Sequence, residues 1–178
     1  MAKDPPLHTN AIPSPWVQRF AAHIPAHATA LDLASGGGRN GRWLMARGLH
    51  VTFLDRDVSA IADLAHAAHA EIIKTDLETG GRFPILGRQY DCVVVTNYLW
   101  RDILDDICEA VTPGGLLIYE TFGIGNEAFG RPRNPDFLLR PGELAENVRD
   151  SFRIIGYEHG RRDIPSPAVI QRLAAIRQ

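Results

Sequence analysis

Apolar residues along this chain fall into short runs that alternate with stretches of helical spacing. Ser14-Pro15 opens the first stretch: serine suits an N-cap and proline the first helical position, and Val17, Phe20, Ala21 and Ile24 recur on one face before Pro25. Residues 29–34 form an apolar run that stops at Gly36, Gly37 and Gly38, the pattern of a buried strand. The order then repeats. A helix over 40–47, closed by Gly48, precedes a strand over 50–55, and a helix carrying Val58, Ile61, Ala62 and Ala65 precedes a strand over 70–75. A fourth strand spans 89–96. The following helix places Leu104, Ile107, Cys108 and Val111 on one face, Pro113-Gly114-Gly115 breaks it, and residues 116–120 make a fifth strand. Strand alternating with helix implies parallel pairing through right-handed crossovers, hence a doubly wound α/β sheet.

Residues 122–142 break this rhythm with four glycines, three prolines and Arg131, Arg133 and Arg140. A loop of this length is usually functional or disordered, and its position after the fifth strand makes it a candidate lid beside the pocket. A short helix over 143–150 and a sixth strand over 152–158 follow. In the last segment Ser166-Pro167 precedes Val169, Leu173 and Ile176, a spacing that by itself suits a helix. Residues 1–13 hold three prolines and little periodicity, so they are expected to be a flexible arm before a single domain over 14–178.

Bulk properties narrow the partners. Nineteen Lys and Arg against 21 Asp and Glu give a net charge of -2, which offers no overall attraction to nucleic acid or to anionic lipid. No stretch approaches the roughly 18–20 apolar residues of a membrane span, and the start lacks the apolar segment of a secretory signal, so the expected compartment is the cytoplasm. Cys92 and Cys108 sit at core spacings and read as small buried hydrophobes. The seven histidines show no metal-ligand spacing, and no metal is expected.

Parallel sheets of this kind bind ligands at the carboxyl ends of their strands. There the chain carries Gly36, Gly38 and Gly41 in GxGxxG spacing, with Asp55 following Gly36 by 19 residues at the end of the second strand. Both features fit a dinucleotide site as well as an S-adenosylmethionine site. Asp32 helps to separate them: a carboxylate there repels a pyrophosphate and attracts a sulfonium and an α-ammonium. Asp55 can accept from both ribose hydroxyls, and Asp76 from an adenine amine while the adjacent backbone at Leu77 serves the ring nitrogens.

These residues resemble the class I S-adenosylmethionine-dependent methyltransferases, especially the small tellurite-resistance-type members. Residues 31–40 look like their first motif and 51–55 like the acidic ribose-binding strand; 75–78, 90–95 and 112–118 are similar to the third-, fourth- and fifth-strand motifs, in order. Ala34 departs from the pattern, standing where the family usually has a glycine, and a slightly displaced cofactor is expected. The resemblance implies a Rossmann-like, mostly parallel seven-stranded sheet whose last strand is antiparallel, which favours strand over helix for 168–176. It also implies S-adenosyl-L-methionine as cofactor, held by Asp32, Ala34, Gly36 and Gly38 from the first strand and loop. Asp55 and Arg56, Asp76 and Leu77, and Asn97 would complete the set.

Asn97, Tyr98 and Trp100 follow the fourth strand, where that family places residues flanking the methionine part and the acceptor. Tyr98, Tyr119 and Glu120 are candidates for orienting or deprotonating an acceptor, and Tyr98, Arg131, Arg133 and Arg140 for binding it, the arginines favouring an anion. The expected reaction is methyl transfer to a small molecule. Two rivals are an NAD(P)-dependent oxidoreductase, with Arg56 available for a 2′-phosphate, and a noncatalytic S-adenosylmethionine-binding module.

Overall fold

The computed structural model describes residues 12–81 and 83–178, so all but the last two residues of the expected N-terminal arm lie outside the described part. Seven strands form one sheet: β1 (Thr29–Leu33), β2 (His50–Asp55), β3 (Ala70–Lys74), β4 (Tyr90–Thr96), β5 (Val111–Phe122), β6 (Phe152–Arg162) and β7 (Ala168–Arg177). Their order is β3-β2-β1-β4-β5-β7-β6. Strands β1 to β5 pair in parallel, and β7 runs antiparallel to both of its neighbours. The last segment is therefore a strand, against its local helical spacing. Seven of its ten residues pair with β5 along 116–122, and that extended pairing outweighs a helix that would cover one side only.

Among the described residues four α-helices flank the sheet: α1 (Pro15–Phe20), α2 (Arg39–Ala46), α3 (Leu104–Glu109) and α4 (Glu143–Val148). Ser14 caps α1 through its hydroxyl, which accepts from the Trp16 N–H at 3.1 Å, and Pro15 occupies the first turn. The expected helix over Val58 to Ala65 is instead a 3-10 helix, Ser59–Leu64, opened by Asp57, whose Oδ1 accepts from Ser59 N–H at 3.0 Å. Three-residue spacing brings Ile61 and Leu64 onto the same buried side, which the tighter helix serves better than 3.6-residue spacing. Val111, assigned above to a helix face, begins β5 and pairs with Tyr90; the register then shifts, so that Leu116 faces Cys92 and Pro113-Gly114 bulges out with Gly114 at φ 79°.

Alternation along the strands divides the core into two layers. Leu31, Leu33, Val93, Val95, Leu117 and Tyr119 face one, with α3 and α4. Ala30, Phe53, Cys92, Val94, Leu116 and Ile118 face the other, with α1 and α2. Among the described residues no helix is long and apolar enough to cross a membrane.

Candidate functional site

The first turn after β1 shapes the site. Ala34 and Gly36 take positive φ, 53° each, and Gly38 follows at 71° to open α2. Gly36 donates its N–H to Asp55 Oδ2 at 2.7 Å, so the carboxylate that ends β2 ties the glycine turn to the neighbouring strand. The other oxygen, Oδ1, accepts from Asp57 N–H at 2.9 Å. Each oxygen keeps one lone pair. Gly38 and Gly41 serve packing instead: a Cβ at Gly38 would come within 2.8 Å of Ile61, and one at Gly41 would overlap Phe53.

Between this turn and the ends of β2, β3 and β4 lies a cleft of about 470 Å³. Eight of the residues singled out above line it: Ala34 and Gly36, Asp55 and Arg56, Asp76 and Leu77, and Asn97 and Tyr98. Asp76 makes an Asx turn, its Oδ1 accepting from Glu78 N–H at 2.9 Å. Asn97 sits at φ 56°, a region asparagine tolerates, and turns the chain sharply at the end of β4.

Others lie elsewhere. Asp32 is 2% exposed and does not line the cleft; its side chain runs beneath α2, where Oδ2 accepts from Gly41 N–H at 2.8 Å. Burial pushes its pKa up to about 7, against the Gly41 hydrogen bond and the Arg39 charge, which favour the ionised form. Tyr119 is buried in the core, and its hydroxyl donates to the Tyr98 carbonyl at 3.0 Å. Glu120 is buried too, accepting from the Ser14 hydroxyl at 3.1 Å and pairing with Arg172 at 3.4 Å.

The sequence reading passed over several lining residues, among them Ser35, Arg39, Glu78 and Thr96. Ser35 stands within the first motif over 31–40, just before the glycines, and its hydroxyl is buried without a partner. Thr96 ends β4 and accepts from Asn40 Nδ2 at 3.0 Å, while Asn40 Oδ1 accepts from Ser14 N–H at 2.9 Å. Asn40 had a signal, since it is the uncharged polar residue within the glycine-rich stretch over 36–41.

Residues 14–118 match the family described as tellurite resistance protein TehB. The chain belongs to that family. Among solved structures, TehB from Haemophilus influenzae superposes with a TM-score of 0.77 at 20% identity, over 96% of this chain and 64% of that one. The chain thus spans less than two thirds of that TehB chain. A 1,6-didemethyltoxoflavin-N1-methyltransferase from Burkholderia thailandensis, solved with bound 1,6-didemethyltoxoflavin and S-adenosylhomocysteine, gives a TM-score of 0.68 at 19% identity over 92% of this chain and 77% of that one. The N-methyltransferase NodS from Bradyrhizobium japonicum gives 0.67 at 13% identity over 90% and 93%. The fold is that of these methyltransferases. A search of curated proteins finds no match.

Beyond the matched residues, the segment of this TehB-family chain that follows β5 is held by Arg101. Its guanidinium donates to Glu143 at 2.7 Å and to the carbonyls of Asp136 and Leu138 at 2.6 and 2.8 Å. Arg140 is exposed and shares Glu143 at 3.4 Å. Arg131 and Arg133 are exposed. None of these three arginines lines the cleft.

Proposed function

We propose that this chain binds S-adenosyl-L-methionine in the cleft and transfers its methyl group to a small-molecule acceptor. The observation that carries this reading is the charge of the lining: four carboxylates, Asp55, Asp57, Asp76 and Glu78, against two guanidiniums, Arg39 and Arg56. A surplus of acids favours a ligand with a sulfonium and an ammonium over a dinucleotide with a pyrophosphate. This replaces the argument from Asp32, which does not line the cleft.

The residues present fit the cofactor. The hydroxyls of Ser35 and Tyr98 are buried at the cleft without hydrogen-bond partners, and such groups cost free energy until a ligand pairs them. Asp55 has a lone pair free on each oxygen for the ribose hydroxyls, and Asp76 has Oδ2 free for the adenine amine. Gly36 and Gly37 let the backbone approach the ligand without an intervening side chain. When bound, S-adenosylmethionine supplies a methyl group already activated by the sulfonium. The chain's own part is then to hold the nucleoside, align the acceptor and exclude water, with no strong base required. Tyr119 and Glu120 support the wall from the core. For the acceptor, the exposed Arg131 and Arg133 favour an anion, since they enter none of the ion pairs among the described residues and follow the carboxyl end of β5.

A thermal-shift comparison tests the reading. S-adenosylhomocysteine raises the melting temperature and NAD and NADP do not, because only ligands of the native state shift the folding equilibrium. A larger shift with NAD sinks the proposal. Turnover across an acceptor panel then separates an enzyme from a noncatalytic binding module.

A further inference from the structure

Tyr98 buries its hydroxyl against the cleft and gives it no partner. Its backbone is fixed, since the core residue Tyr119 donates to its carbonyl at 3.0 Å and the left-handed Asn97 sets the direction in which the chain leaves β4. The ring packs on the same apolar layer as Leu77. Four charged groups that line the same cleft act on the phenol: Glu78, Asp76, Arg56 and Asp55. Asp55 ends β2 and the other three follow β2 or β3, on the side proposed above for the ribose and adenine, and none comes from β5. Burial and the three carboxylates hold the phenol well above its ordinary pKa, so at neutral pH it remains a hydrogen-bond donor. A phenylalanine would fill the same space without burying an unpaired hydroxyl.

Resting on the S-adenosylmethionine reading, we propose that Tyr98 is a purine-recognition residue rather than an acceptor-side one, its O–H donating to a ring nitrogen of the adenine. Adenine is the part of the cofactor that offers bare nitrogen acceptors at that end of the cleft, and a phenolic donor there favours adenine over bases that lack the matching nitrogen.

Calorimetric titration of S-adenosylhomocysteine and its 1-deaza, 3-deaza and 7-deaza analogues into the wild type and Tyr98→Phe tests this. Tyr98→Phe weakens S-adenosylhomocysteine about 10-fold, the scale of one hydrogen bond to a buried group, while the melting temperature without ligand does not fall. The wild type loses a similar factor for one of the three analogues, and Tyr98→Phe no longer distinguishes that analogue from the parent. Equal affinity of the two proteins for S-adenosylhomocysteine overturns the proposal, as does identical discrimination among the analogues by both. Failure of the wild type to bind S-adenosylhomocysteine at all is a different result: it overturns the reading of the cleft itself, and this assignment with it.

Discussion

Ala34 holds a backbone conformation that its side chain opposes. At φ 53° a residue with a Cβ pays about 1–2 kcal/mol, whereas glycine pays roughly 0.5–1 kcal/mol in unfolded-chain entropy instead. Ala34→Gly is therefore expected to stabilise the chain by up to about 1 kcal/mol and to raise the melting temperature by about 2–4 °C, read by scanning calorimetry. A drop would mean that the methyl makes packing contacts worth more than the strain. The chemistry of the turn was legible in sequence because glycine and aspartate carry their roles in any register. The direction of Asp32 was not. Strand residues alternate between faces, and which face α2 covers is decided by the close approach of Gly41 to Phe53, a contact between segments that neither announces alone.

At the level of elements, α1 has six residues and is too short to persist without its cap and its packing. Ser14 is fully buried and uses both its N–H and its hydroxyl, tying the helix to Asn40 and to Glu120. Ser14→Ala removes the cap and leaves Glu120 short of a donor. The expected cost is about 2–3 kcal/mol, measured as a lower urea midpoint with an unchanged slope. A loss below about 0.5 kcal/mol would show that Trp16, Val17 and Phe20 hold the helix alone. Strands β1, β2 and β4 were readable because they are nearly continuous apolar runs. The last strand was not readable from its own spacing, because its residues repeat at three and four as a helix's do; the family resemblance implied it, and pairing with β5 and β6 selects the extended form. The start of β5 was hidden by Pro113 and Gly114, which punctuate the sequence like a break and in the fold become a bulge inside one long strand.

The whole molecule should respond to pH through Asp32. Its folded pKa of about 7 lies above the ordinary 3.8, so the folded state keeps a proton that the unfolded chain releases. The resulting stability is fully present below pH 3.8 and is lost as pH rises through about 7, with a slope of up to about 1.4 kcal/mol per unit inside that window. Denaturant midpoints measured from pH 5 to 8 are expected to fall in the wild type and to flatten in Asp32→Asn, which keeps an oxygen for the Gly41 N–H. A wild-type midpoint that rises across this range would show that Asp32 is ionised throughout.

The position of β7 also governs how the chain can be assembled as it is made. This strand is the last in sequence order and sits between β5 and β6 in the sheet. When β6 leaves the ribosome it has no neighbour to join, and the free side of β5 presents a row of unpaired peptide groups to whatever else is nearby. Until residues 168–177 emerge, the nascent polypeptide has an open seam that a chaperone could shield or another chain could fill. The arrival of this one segment closes both gaps at once and ends the interval of greatest exposure to aggregation.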